Sequence, residues 1–152
     1  MELEIVNRAC PVLYIVVPCY NEEEVLPETA KRLREKVRGL ISAGEIDEKS
    51  RILFVNDGSR DRTWEMTETL SGADRLFGGA KLSRNRGHQN ALLAGLMTAK
   101  ELCDCTISMD ADLQDDIGAV DGMLREYKSG SDIVYGVRSS RETDTFFKRF
   151  TA

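Results

Sequence analysis

The feature that most limits what this chain can fold into is a strict alternation of two patterns. Short runs rich in β-branched and aromatic residues take turns with longer segments of helical period. "VLYIVV" (Val12 to Val17) reads as a buried strand. Asn21 then suits a helix N-cap, and Leu26, Ala30, Leu33, Val37 and Leu40 recur at spacings of three and four. Pro27 is tolerated in the first turns of that helix, and Gly44 marks its stop. The pattern continues with "RILFVN" as a strand, "DGSRDRT" as a turn, "TWEMTETL" as a short helix and "AKLSRN" as a third strand running into a loop. "HQNALLAGLMTAKE" is a helix, "TISM" a fourth strand, "IGAVDGMLREYKSG" a helix and "DIVYGV" a fifth strand. Repeated strand–helix–strand units require right-handed crossovers, so the expected fold is α/β, with a mainly parallel sheet and helices on both faces.

At 152 residues, without repeat or linker, the chain is expected to form a single domain, residues 1–152. Its net charge of −5 and its interleaved basic residues argue against a nucleic-acid partner. No apolar stretch reaches the roughly 18 residues of a membrane span, and acids precede the first apolar run, unlike a signal peptide. The four cysteines lack the paired spacing of a zinc site. Read as small thiols kept reduced, they imply a cytosolic setting.

In parallel sheets, ligands bind outside the carboxyl ends of the strands. Every unusual polar cluster of this sequence lies at such an end. Strand one runs into "PCYNEE", where Pro18 halts the ladder, Tyr20 offers a flat face for stacking and Glu22 can accept from hydroxyls. The same stretch also reads as an ordinary helix start. Strand two runs into "NDGSRDRT", where Asp57 and Gly58 form a turn and Asp61 with Thr63 suits a cap. Asp57 could equally accept an imino hydrogen from a uracil or guanine base. After strand three, Arg84 and Arg86 suit a phosphate, Gly87 permits close backbone approach, and His88 is the only histidine. As a lone histidine at a helix start, His88 reads more simply as a polar N-terminal residue than as a ligand or base.

Strand four runs into "DADLQDD". Two carboxylates about 4 Å apart repel by a few kcal/mol at an effective dielectric near 20 unless a cation sits between them. Asp110 and Asp112, one residue apart, face the same way in a strand, with Ala111 turned opposite. That arrangement suits a hard cation, Mg²⁺ or Mn²⁺, with positions left open for phosphate oxygens. Asp115 and Asp116 suit the start of the following helix.

Together, "IVVPCYNEEEVL", "VNDGSRDRT", "LSRNRGHQNALLAGL", "SMDADLQD" and "GSDIVYGVR" resemble the family 2 glycosyltransferases of the GT-A fold. The branch most similar contains dolichyl-phosphate mannose synthase and the bacterial polyprenyl-phosphate glycosyltransferases. The resemblance runs from about Val12 to the end of the chain. It implies that Pro18, Tyr20 and Glu22 line the pocket for the donor's base and ribose, and that Asp57 contacts the base. Asp110 and Asp112 match the D-x-D acids, Asp112 most directly on the metal, and Gln114 a glutamine that completes that site. Arg84 falls with the nucleotide-binding residues, Arg138 matches an arginine near phosphate, and Arg149 a later basic residue.

The implied activity is metal-assisted, inverting transfer of a sugar from a UDP- or GDP-linked donor to a polyprenyl phosphate. The rivals are a non-catalytic nucleotide-binding module and a glycosyltransferase with a non-lipid acceptor. A phosphatase-like Asp nucleophile is expected on the first strand, not after the fourth. No Gly-x-Gly-x-x-Gly follows a strand, which excludes a dinucleotide oxidoreductase. Two departures from the family pattern stand out: "DDIGAV" replaces the prolines common after the D-x-D segment, and the chain stops at "FFKRFTA". The family's acceptor-side segments and membrane helices lie beyond that point. The expectation is therefore the donor-binding part of a longer enzyme at the cytoplasmic face of a membrane, with the C-terminal part of the fold missing.

Overall fold

The computed structural model describes residues 8–137. Among them the sheet has four strands: β1 (Leu13–Cys19), β2 (Arg51–Asn56), β3 (Phe77–Lys81) and β4 (Cys105–Ser108). All pairings are parallel, in the order β3-β2-β1-β4. Four helices connect and follow them: α1 (Leu26–Ser42), α2 (Thr63–Ala73), α3 (His88–Ala99) and α4 (Ala119–Lys128). The expected α/β fold with a parallel sheet is what forms.

Period two sorts the sheet's side chains. Leu13, Ile15, Val17, Ile52, Phe54 and Ile107 bury one face against α1, α2 and α4. Val16, Leu53 and Val55 bury the other against Ala91 and Ala99 of α3. Helices thus cover both faces, and α3 lies closest to the sheet. A Cβ on Gly95 would stand 2.4 Å from Val16 Cγ1 and 2.7 Å from Val55 Cγ2, so only a hydrogen fits there. The chain steps from β1 out to β2 and β3, then crosses back over the opposite face to pair β4 with β1. The switch point of such a sheet lies between the carboxyl ends of β1 and β4, which is where its ligand crevice opens.

Several element boundaries differ from the sequence expectations. Asn21 does not cap α1: the helix begins at Leu26 with Pro27 in its first turn, and its N-cap Val25 makes no side-chain bond. Asn21 instead takes a left-handed conformation (φ 55) in the loop before it. The C-terminal end follows expectation, with the N–H groups of Gly44 and Glu45 closing onto the carbonyls of Ile41 and Leu40. β3 starts at Phe77 rather than Ala80, because pairing with β2 draws "FGGAK" into the sheet despite its two glycines. Residues 82–87 are loop.

The expected fifth strand, "DIVYGV", does not form. Arg8 anchors the segment's start by donating to the carbonyls of Tyr127 (2.8 Å) and Ser131 (3.1 Å). Beyond it Ile133, Tyr135 and Val137 stand 73%, 83% and 85% exposed. A groove of about 560 Å³ separates this segment from the outer edge of β4. A strand needs both a ladder and a face to bury, and this stretch has neither among the described residues. No helix of the described residues is long and apolar enough to cross a membrane.

Candidate functional site at the β1–β4 switch point

The alternation of β4 outlasts its ladder. From Ile107 to Asp112, buried and exposed residues take strict turns: Ile107, Met109 and Ala111 enter the core, while Ser108, Asp110 and Asp112 face out. The carbonyl of Ala111 accepts from Thr29 Oγ1 at 2.6 Å, which pins the segment to α1. Asp110 and Asp112 therefore share a side as their spacing predicts, although β4 itself ends at Ser108. That side is the one α3 covers, and Pro18 and Asp57 leave the sheet toward it by the same alternation from Val16 and Val55. Pro18 does not halt β1 itself, whose pairing with β2 runs on through Cys19; only the ladder to β4 stops before it. Val16 is the last residue of β1 paired to β4, and Pro18, next on that edge, has no N–H. Tyr20, just beyond, is 41% exposed and its ring can be stacked upon.

Asp57 is 2% exposed and faces inward onto the next loop. Its Oδ1 accepts the N–H of Arg86 at 2.7 Å and its Oδ2 that of Gly87 at 3.0 Å. Its own N–H donates to the Cys19 carbonyl at 2.8 Å. As a base contact, Asp57 would have to act with both oxygens already accepting backbone N–H groups. Gly58 completes the clamp. At φ 68 it takes a conformation costly for other residues, and an added Cβ would lie 2.4 Å from Asn85 N. The loop 84–87 is thereby seated on the end of β2, and α3 begins at a defined point. Its first residue, His88, brings Nε2 to 3.1 Å from Asp110 Oδ1.

A second set of bonds ties the loop after β1 to the loop after β2. Asn21 Oδ1 accepts from Arg60 N–H (2.8 Å), and Glu22 N–H donates to Thr63 Oγ1 (2.8 Å). Thr63 Oγ1 in turn donates to Asp61 Oδ1 (2.6 Å), which also accepts the Thr63 N–H (2.9 Å); the N-cap of α2 is Arg62, which makes no side-chain cap bond. Burial works against ionising Asp61, but the bonds from Thr63 and from Glu23 N–H outweigh it and hold the carboxyl below its ordinary range. Glu22 behaves oppositely. Burial pushes its pKa up, and the negative charges of Asp112, Asp61 and Asp110 push it further. Acids from the ends of β1, β2 and β4 thus act on one another across the switch point.

Two carboxylates that face out, crowd a third and present only oxygen suit Mg²⁺ or Mn²⁺. Among the described residues no three His, Cys, Asp or Glu side chains gather closely enough to cage an ion. Asp110 and Asp112 could hold such an ion only with positions left open for other ligands. Gln114 donates its N–H to Asp112 Oδ1 at 3.1 Å and lines a cleft of about 780 Å³ against α1, one that includes neither Asp110 nor Asp112. Leu113, between Asp112 and Gln114, is left-handed at φ 60, a strained backbone for a leucine. Neither Asp115 nor Asp116 caps α4 as expected: Asp116 receives Gly118 N–H (2.8 Å) one residue before the helix, Asp115 turns back and accepts Asp110 N–H (3.0 Å), and the N-cap Gly118 has no side chain to bond. Arg84 and Arg86 are exposed on the clamped loop. Arg138, Arg149 and the tail 141–152 lie outside the described residues.

Two features escaped the sequence reading: the inward clamp of Asp57, and the His88–Asp110 contact. The second had a signal, a histidine directly after a glycine at a helix start, but the partner lies 22 residues away, beyond the end of β4.

The sequence profile described as Glycosyl transferase family 2 matches residues 14–151. The chain is 57% identical over 146 residues to "Uncharacterized glycosyltransferase YkoT" of Bacillus subtilis (strain 168), covering 96% of this chain and 43% of that protein. It is 38% identical over 138 residues to the "Bactoprenol glucosyl transferase" of Shigella phage SfV, covering 91% of this chain and 42% of that one. The chain thus spans less than half the length of these curated relatives. Among solved structures, it resembles the mannosyltransferase PcManGT from Pyrobaculum calidifontis in complex with GDP-Man and Mn²⁺. The TM-score is 0.56 at 21% identity, over 78% of this chain and 32% of that one. TarS 1–349 of S. aureus in complex with UDP-GlcNAc is similar at TM-score 0.55 and 17% identity, over 77% and 31%. With its parallel sheet built as in these GT-A neighbours, the chain belongs to glycosyl transferase family 2.

Proposed function

We propose that this chain binds the nucleotide-sugar of an inverting glycosyltransferase whose acceptor is a polyprenyl phosphate, with Mg²⁺ or Mn²⁺ at Asp110 and Asp112. The observation that carries the reading is that Asp110 and Asp112 stand exposed on one side of the segment after β4, at the switch point, where burial and then Asp112, Asp61 and Asp110 push up the pKa of Glu22 after β1. Negative charge gathered at a sheet's switch point favours a ligand that brings a cation, and the exposed Arg84 and Arg86 of the loop before α3 suit its phosphates. Names borne by neighbours support it: one is in complex with GDP-Man and Mn²⁺, another with UDP-GlcNAc, and relatives are bactoprenol glucosyl transferases.

The chemical difficulty of the reaction is the diphosphate, which gains negative charge as the sugar bond breaks. Asp110 and Asp112 would hold a divalent ion, which would supply Lewis-acid neutralisation of that charge. Tyr20 and Pro18 form the wall for the base, Glu22 accepts from ribose hydroxyls, and Asp57 holds the loop carrying Arg84 and Arg86 toward the phosphates. Arg138 is assigned to the leaving diphosphate by the family resemblance. A phosphate acceptor is already an anion, so no strong general base is needed. A chain that uses nucleotide-sugars and keeps its thiols reduced would work at the cytoplasmic face of a membrane.

Calorimetric titration with UDP and with GDP, each with and without Mn²⁺, tests the donor site. Binding of one nucleotide, tightened by Mn²⁺, is the expected result, and Asp112→Asn should remove ~1–3 kcal/mol of the metal-dependent part. Failure to bind either nucleotide in the presence of Mn²⁺ would refute it. Lipid-linked sugar formed from polyprenyl phosphate by the whole protein, and not from free sugars, tests the acceptor.

A further inference from the structure

We infer that His88 is a positioning residue for Asp110, orienting that carboxylate toward the divalent ion; this rests on the metal reading proposed above. The contact is His88 Nε2 to Asp110 Oδ1, 3.1 Å. A carboxylate can only accept, so the imidazole carries its hydrogen on Nε2 and donates it, which a neutral ring does as well as a charged one. Asp110 also receives help from behind, since its N–H donates to Asp115 Oδ2 at 3.0 Å. Its second carboxylate oxygen, Oδ2, is the one left to turn toward the cation.

The placement of His88 is determined by the fold. The residue follows Gly87, whose N–H is held by buried Asp57, and the loop behind it rests on Gly58 with no room for a Cβ. β2 and β4 are not neighbours in the sheet; β1 lies between them. The clamp at the end of β2 therefore reaches the acid after β4 through the first residue of α3. A hydrogen bond from outside the ligand shell fixes the direction of a ligand and raises its occupancy in the binding orientation. Loss of such a partner typically weakens metal affinity 10–100-fold.

Mn²⁺ binding measured by electron paramagnetic resonance on the chain, with UDP and with GDP present, tests the assignment directly. His88→Ala is expected to weaken Mn²⁺ by about tenfold or more, with nucleotide affinity in the absence of metal and the circular dichroism spectrum unchanged. His88→Gln, which can place an amide N–H near the same point, is expected to restore much of the affinity. If Asp112→Asn weakens Mn²⁺ binding while His88→Ala binds as the wild type does, the role of His88 falls and the metal site stands. If the wild type binds no Mn²⁺ with either nucleotide, both fall. A ¹⁴N coupling from His88 to bound Mn²⁺ would make it a ligand and overturn the positioning role.

Discussion

Replacing Gly58 with alanine tests whether the β2 clamp holds the site together. The alanine must adopt φ 68, which costs an L-residue about 1–2 kcal/mol. Its Cβ would lie 2.4 Å from Asn85 N, 2.5 Å from Arg84 C and 2.8 Å from Arg84 Cα. These are backbone atoms, so no side chain can swing aside. Reaching an ordinary contact near 3.5 Å moves the loop by roughly 1 Å. Arg86 N and Gly87 N sit 2.7 and 3.0 Å from the Asp57 carboxylate, so a shift of that size breaks at least one of these bonds. A hydrogen bond to a charged group contributes about 1.5–3 kcal/mol. The expected loss is therefore about 2.5–5 kcal/mol in urea unfolding. Hydrogen exchange at the Arg86 and Gly87 amides should quicken in the folded state. Gly39→Ala is the control: it lies within α1 with nothing within 4 Å, so it should gain about 0.5–1 kcal/mol. Equal stability changes at positions 39 and 58, or unchanged exchange at Arg86 and Gly87, would refute the clamp.

Glu22 should titrate above the ordinary glutamate range in a ¹³C side-chain NMR titration, because burial and then Asp112, Asp61 and Asp110 disfavour its anion. Its raised folded pKa contributes stability that is present below the unfolded value of about 4.3 and lost as pH rises through the folded one; saturating Mg²⁺ should lower the folded value in part, and an ordinary pKa without metal would refute the crowding. Gly95→Ala should cost about 1–3 kcal/mol by overpacking, and Val16→Ala, which removes the Cγ1 it meets at 2.4 Å, should relieve part of that in the double variant; strictly additive losses would count against the close approach. Burial raises Cys103 to about 11 and Cys105 to about 12, so both should alkylate slowly at neutral pH in native protein and quickly in urea, as read by mass spectrometry.

Much of this architecture was legible in the chain's own pattern. Val12 to Val17 and Arg51 to Asn56 are apolar enough to be central strands in any α/β arrangement, and helical spacing from Leu26 to Leu40 predicts the buried stripe of α1. Parity alone placed Asp110 and Asp112 on one side, because side-chain direction in an extended segment depends only on residue number. Local patterns could not decide what depends on a distant partner. β3 forms at Phe77–Lys81 because β2 offers a ladder, and Asn21 leaves its helix because Arg60 N–H and Ser59 Oγ bond to it. "DIVYGV" has the composition of a strand and remains outside the sheet, since nothing among the described residues covers its alternate side chains. Whether Asp57 faces a ligand or its own chain was likewise undecidable from "NDGS". A carboxylate at a strand end goes where its donors are, and only the tertiary structure brings the N–H groups of Arg86 and Gly87, some thirty residues on, within 3.0 Å of it.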